Sequence, residues 1–340
     1  MGMNCFKSVI FTVAMLLFSA GLSAQTKIFV DMQKSDMINV DSSVERVNVS
    51  DFKFAGFDMV RYIGQNGLLI RSKTDLYLYD ISKNEVSVKF SFLGRAENEY
   101  TFISDFGYEN GLVYLYDMNA GKVLWFDKFG FFQKTFLVRK DVGSKPFSSI
   151  IKLNENYYLG KRVYGVSNTP ELSLYDTEFV YVKDLFSDFK LRSGINLGFQ
   201  FFKGASGEVL YNRYLSNYIL QVSAESINVK YHINFGKNNI PDENNFKDEY
   251  EIIDEVNGSS RVYSTFISNI CDSKSYLAFM FITKPGKPCL AVFDKLNKTT
   301  DAYVFESDKY VITQVVPTES FALVFMEDEE GDYYVSRINY

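Results

Sequence analysis

An all-β fold is what this sequence predicts: a six-bladed β-propeller of four-stranded antiparallel blades, with the ring closed by the N-terminal strand. Three observations lead there. A short strand motif recurs about every 47 residues, tight turns divide each repeat into four strands, and the last repeat is one strand short.

The motif is apolar, any residue, apolar, aromatic, Asp. It reads Leu76-Tyr77-Leu78-Tyr79-Asp80, then Val123-Leu124-Trp125-Phe126-Asp127, Leu172-Ser173-Leu174-Tyr175-Asp176 and Leu290-Ala291-Val292-Phe293-Asp294. Ile219-Leu220-Gln221-Val222-Ser223 is a degenerate copy, and Tyr334 to Asn339 is a sixth. The closing positions 80, 127, 176, 223, 294 and 339 are separated by 47, 49, 47, 71 and 45 residues, and the long step contains an insertion, 236–261. A second echo, three repeats apart, pairs Thr101-Phe102-Ile103-Ser104-Asp105 with Thr265-Phe266-Ile267-Ser268-Asn269.

Each repeat divides into four short strands. In the second they span Thr101–Tyr108, Leu112–Asp117, Lys122–Asp127 and Phe131–Val138, with turns at Glu109-Asn110-Gly111, Asn119-Ala120-Gly121 and Lys128-Phe129-Gly130. A meander of this kind buries its faces only against neighbouring repeats, so the array closes on itself. The sixth repeat ends inside its third strand. Its fourth is expected from Lys27–Met32 or Val44–Val49, which also removes an open sheet edge. The 32 Phe and 24 Tyr against six Pro agree with a strand-rich chain.

Residues 1–24 read as a secretory signal. Lys7 precedes an apolar run from Val9 to Leu22, and Ser23-Ala24-Gln25 offers a cut after Ala24. The run is short for a membrane span, and Cys5 lies before it rather than after it, unlike a lipid-anchored cysteine. Residues 25–340 then form a single propeller domain, expected in the periplasm or outside the cell, without a membrane span, as a monomer. The net charge of −6, with 36 basic against 42 acidic residues and no basic run, disfavours nucleic acid as a partner. Cys271 and Cys289 are expected to stay unbonded, one ending the first strand of the fifth repeat and the other beginning the third.

The stretch Phe92-Leu93-Gly94-Arg95, Glu99-Tyr100, Ile103-Ser104-Asp105, Val113-Tyr114-Leu115 and Phe126-Asp127 resembles secreted six-bladed propellers abundant in gut-type Gram-negative bacteria. Those are similar in architecture to the TolB-like and NHL-like propellers. The resemblance spans the mature chain in layout and is closest over the second blade. It implies this fold and export, and no established activity. In that family the turn before Glu-Tyr is rich in Gly and Pro; here it is Ala96-Glu97-Asn98.

Catalytic constellations are scarce. His232 is the one histidine and falls on an apparent outer strand, away from the axis where propeller sites sit. Clustered Cys and His for zinc are missing, and Asp242-Glu243-Asn244-Asn245 lacks the calcium-loop spacing. No metal or cofactor is therefore expected. The repeated Asp80, Asp127, Asp176 and Asp294 each precede a turn and read as turn-formers that bond their own backbone.

Loop length points to one face. Turns between first and second strands, and between third and fourth, are short. The connections Ala96–Glu99, Asp141–Phe147, Lys161–Glu171, Asp188–Asn196 and Gly236–Arg261 are longer and share the other face by strand alternation. That face is expected to bind a small-molecule, glycan or peptide ligand, or a protein partner, over the channel. Its candidate residues are Arg95, Glu99, Tyr100, Arg162, Arg192, Arg213, Arg261 and Tyr263, since arginine forks and tyrosine rings suit anionic ligands. The alternative is a lyase or hydrolase acting on a sugar or peptide at the channel mouth. In the 236–261 insertion, Pro241 can open a helix that Gly258 stops, with Phe246, Tyr250 and Ile253 on one face.

Overall fold

The computed structural model describes residues 25–49, 54–64, 67–90, 93–138, 147–162, 171–185, 199–213, 215–242, 245–247, 249–283 and 286–340. Residues 1–24, expected to be a secretory signal, lie outside them, as do 139–146, 163–170 and 186–198, most of three of the long connections.

The chain begins with three short strands, β1 (Thr26–Phe29), β2 (Asp36–Asn39) and β3 (Val44–Arg46). Five complete blades follow. Blade one holds β4 (Met59–Tyr62), β5 (Gly67–Ser72), β6 (Asp75–Asp80) and β7 (Glu85–Phe90). Blade two holds β8 (Asp105–Glu109), β9 (Leu112–Asp117), β10 (Lys122–Asp127) and β11 (Phe132–Leu137). Blade three holds β12 (Phe147–Lys152), β13 (Tyr158–Arg162), β14 (Leu172–Tyr175) and β15 (Tyr181–Leu185). Blade four holds β16 (Phe201–Lys203), β17 (Val209–Asn212), β18 (Tyr218–Val222) and β19 (Ile227–Asn234). Blade five holds β20 (Ser264–Asp272), β21 (Tyr276–Thr283), β22 (Lys287–Asp294) and β23 (Thr300–Glu306). Blade six has β24 (Val311–Pro317), β25 (Phe321–Glu327) and β26 (Tyr333–Asn339), and takes β3 as its outer strand.

The ring closes as the missing strand requires: Arg46, Glu45 and Val44 pair antiparallel with Tyr334, Val335 and Ser336. The other expected closing segment goes elsewhere, since β1 lies parallel along β19, the edge of blade four. β2 lies parallel along β23, the edge of blade five. Beyond β3, Asn48 bridges Glu85 of blade one. The first 25 described residues thus form a strap around the rim of four blades.

The strap is held by seams as well as edges. Six apolar clusters fill the six boundaries between blades. Val30 plugs the seam between blades four and five, Val40 that between five and six, and Val47 that between six and one. Burying a Val side chain contributes about 1.5–3 kcal/mol. Aromatic rings supply most of the remaining filling. Phe147 and Tyr116 stack at 4.5 Å across blades two and three, and Phe57 meets Phe325 at 4.4 Å across blades one and six.

All four repeated aspartates are turn-formers. Each carboxylate accepts the backbone N–H two residues on: Asp80 from Ser82 at 2.9 Å, Asp127 from Phe129 at 2.9 Å, Asp176 from Glu178 at 2.9 Å and Asp294 from Leu296 at 2.8 Å. Ser223 does the same for Glu225 in the degenerate copy.

Two local expectations need correcting. The inner strand of blade two starts at Asp105 rather than Thr101, because the Asp117 carboxylate captures the N–H groups of Thr101 and Phe102. In the insertion a helix α1 spans Glu249–Gly258, but Tyr250 faces solvent at 70% exposure. Ile252 takes its place, buried among Leu215, Ile240 and Tyr263, with Ile253 and Val256 beside it.

Candidate functional site

The turns joining first to second strands, and third to fourth, lie on one face. At that face the channel opens into a cavity of about 690 Å³. Each blade contributes the end of its inner strand. The last residues of β8, β12, β16 and β20 are Glu109, Lys152, Lys203 and Asp272, so four consecutive blades close their inner strands with a charge at the rim. Blade one supplies Tyr62, Ile63 and Gly64; blade six supplies Val316, Pro317 and Glu319. A smaller cavity of about 270 Å³ lies at the other end of the inner strands, lined by Asp58, Met59, Phe266, Ser268, Thr313 and Gln314. Val60, Phe199 and Asn269 line both.

The floor between the two cavities is a polar network over three blades. The Arg61 guanidinium lies 3.8 Å from the Phe199 ring centre, donates to the Tyr114 hydroxyl at 3.1 Å, and pairs with Asp105 at 3.3 Å. Asp105 also accepts from the N–H of Ile150 at 2.7 Å, and Tyr114 donates to the carbonyl of Ile150 at 2.9 Å. Full burial pushes the Asp105 carboxyl up, against the pull of Arg61 and of the two N–H donors. Gly107 makes the arrangement fit, because a Cβ there would sit 2.6 Å from the Tyr114 hydroxyl.

At the rim most charges are already matched. Glu109 pairs with Lys152 at 3.0 Å. Asp272 receives Lys230 at 2.7 Å, the Tyr231 hydroxyl at 3.1 Å, and Lys295. Burial lowers the Lys230 amine, but Asp272 and Glu208 outweigh it and hold the group charged. Three charges are left over. Lys203 donates to the Lys152 carbonyl at 2.5 Å and has no carboxylate partner among the described residues; lost hydration lowers its pKa, with Glu109 opposing. Lys274 and Glu319, both exposed, have no ion pair among the described residues. Burial, followed by the charge of Glu319, raises both the Tyr62 hydroxyl and the Cys271 thiol to about 12.

β20 is irregular where it lines the channel. Its register shifts twice, between Thr265 and Ser268 and between Ser268 and Cys271, and Phe266 and Asn269 adopt φ of +55° and +45°. A bulky residue such as Phe is rarely left-handed, and such strain persists only where the surroundings impose it. The bulges bring Asn269, Ile270, Cys271 and Asp272 all to the cavity, where a regular strand would show alternate residues.

Of the eight residues expected on the long-loop face, none of the seven described ones lines either cavity. Tyr100 is core, donating to the Phe90 carbonyl at 3.2 Å, and the Glu99 carboxylate closes a turn by accepting from Ala96 at 2.7 Å. Arg162 is buried against Asp184 at 2.6 Å, and Arg213 against Glu171 at 3.2 Å. Tyr263 is buried and donates to Glu255 of α1 at 3.1 Å. Arg95 and Arg261 reach solvent, one ahead of blade two and the other ahead of blade five. Arg192 lies outside the described residues. His232 is on β19, half-buried against Tyr218 at 4.8 Å, and burial followed by Lys27 lowers its pKa. Among the described residues no three His, Cys, Asp or Glu side chains gather as metal ligands, and no helix is long and apolar enough to cross a membrane.

Residues 29–330 match the DUF5128 family of six-bladed β-propellers, and the chain belongs to that family. It matches no curated protein. In fold it is similar to a protein from Bacteroides fragilis described as exported, at TM-score 0.65 and 15% identity over 93% of this chain and 99% of that one. It is also similar to a DUF4221 family member from Bacteroides vulgatus, at TM-score 0.57 and 9% identity over 87% and 98% of the two chains. A protein of unknown function from Bacteroides thetaiotaomicron aligns at TM-score 0.51 and 9% identity over 87% and 75%.

Proposed function

We propose that this propeller is exported and binds a ligand in the channel mouth on its short-turn face. The observation that carries this reading is the ring of charges at the ends of the inner strands, bounding about 690 Å³. That volume lies in the range of small-ligand sites, roughly 300–1,000 Å³. Export rests on the signal-like segment 1–24, and the name of the Bacteroides fragilis propeller of similar fold, which describes it as exported, supports the same reading. The compartment is periplasmic or extracellular.

Catalysis is the weaker reading. A nucleophile or general acid at work near neutral pH needs its pKa brought toward neutrality. Cys271 and Tyr62 move away from it, and Lys203, which moves toward it, contacts a carbonyl rather than a proton partner.

The test is to fill the mouth. Ala205→Trp places an indole among the lining residues. With the fold intact by circular dichroism, it should abolish binding of any ligand found by a thermal-shift screen of sugars, peptides and nucleotides. Undiminished binding would move the site off this face.

A further inference from the structure

We infer that the ligand of this mouth is dipolar, a short peptide with a free amino and a free carboxyl end; this rests on the mouth being the binding site. Glu109 is matched by Lys152, Asp272 by Lys230 and Lys295, and Arg61 by Asp105. What remains spans three consecutive blades: Lys203 on blade four, Lys274 on blade five and Glu319 on blade six, so Lys203 and Glu319 lie two blades apart.

A ligand carrying a single charge leaves one side of this rim uncompensated. A zwitterion answers both, its carboxylate toward Lys203 and Lys274 and its ammonium toward Glu319. The lining also offers Tyr62, Tyr108 and Phe202 to pack against, and the uncharged edges of Gly64 and Gly204. An extended tripeptide spans about 10 Å from end to end, so its charges can reach different blades where those of a single amino acid sit side by side.

The experiment uses residues 25–340 and titration calorimetry at low salt with four probes: tri-alanine, N-acetyl-tri-alanine, tri-alanine amide and maltotriose. Tri-alanine should bind, and either cap should weaken it about tenfold or more, the scale of one lost charge-assisted contact. Glu319→Gln should weaken tri-alanine by a similar factor and leave the N-acetyl form unaffected, while Lys203→Met should show the same selectivity for the amide. Equal losses for free and capped peptides, or capped peptides binding as well as free ones, overturn the inference. So does failure of tri-alanine to bind at millimolar concentration. Maltotriose binding that Ala205→Trp abolishes keeps the mouth as a site and discards the dipolar class. Binding of any probe that Ala205→Trp leaves intact discards the mouth itself.

Discussion

Asp105 and Asn269, matched in the sequence echo three blades apart, each reach across a seam to the inner strand of the next blade. Asp105 accepts from the N–H of Ile150 in blade three at 2.7 Å. Asn269 donates to the carbonyl of Val315 in blade six at 3.0 Å, and to Gln314 at 3.2 Å. The echo therefore marks two stitches at opposite points of the ring. Their energetics differ, because one is charged and buried and the other neutral.

Asp105→Ala should be the more damaging change. It leaves the Arg61 guanidinium and the Ile150 N–H without their partner in the interior, at a cost of about 3–5 kcal/mol. Asn269→Ala should cost about 1 kcal/mol, one net hydrogen bond. Denaturant titrations compare the two, and equal losses would remove the distinction.

Removing residues 26–49 should abolish the cooperative monomer. The deletion uncovers the edges of blades four, five and six and empties three seams at once. The milder Val40→Ala should cost about 2 kcal/mol, the value of two buried methyl groups plus the space they leave. A truncated protein that stays monomeric, with an unchanged melting midpoint, would contradict the strap's role.

Arg162→Ala and Arg95→Ala should part company. Arg162 lies 2.6 Å from Asp184 and also donates to Ser173, so its removal strands a carboxylate inside blade three and should cost about 3 kcal/mol or more. Arg95 is exposed, and its replacement should fall within about 0.5 kcal/mol of the parent. Melting curves of the two variants decide it.

Both mature cysteines should behave as inert free thiols. Burial raises Cys271 to about 12 and Cys289 to about 11, from an ordinary 9.0. At pH 8 the Cys271 thiolate is then about a thousandfold scarcer than in the unfolded chain, so iodoacetamide should label it only after denaturation. The same shifts act on stability. Folding favours the protonated thiols, a contribution fully present below pH 9 and lost as pH rises through 11 and 12. Replacing both residues with Ala should therefore flatten part of the alkaline fall in melting temperature. Rapid native labelling at pH 8 would contradict the assigned environments.

The fold was legible because its signal is local and repeated. Asp80, Asp127, Asp176 and Asp294 end strands and start turns through their own carboxylates, so chemistry and spacing coincide. The parallel pairing of β1 and β2 was not legible, since it runs through backbone along distant edges and needs only one buried Val each at a seam. Loop length pointed away from the larger described cavity. Arg162 and Arg213 read as ligand-seeking and instead neutralise Asp184 and Glu171, partners that only the fold brings near. A signal for the mouth does exist in the sequence. Glu109, Lys152, Lys203 and Asp272 each close the first strand of a repeat, a position where a propeller has a reason for charge only at its axis.

The pairing of Glu45 with Val335 joins segments nearly 300 residues apart in the chain. During synthesis the strap emerges first, yet the edges it caps are made last. Its strands must wait, unpaired, until blades four and five exist, and β3 until β26 is complete. Closure is thus a late event with very long loops to bring together, the kind of topology that folds slowly. A nick or stop that removes β26 also frees β3, so these two strands, far apart in the chain, act as a single structural element and fail together.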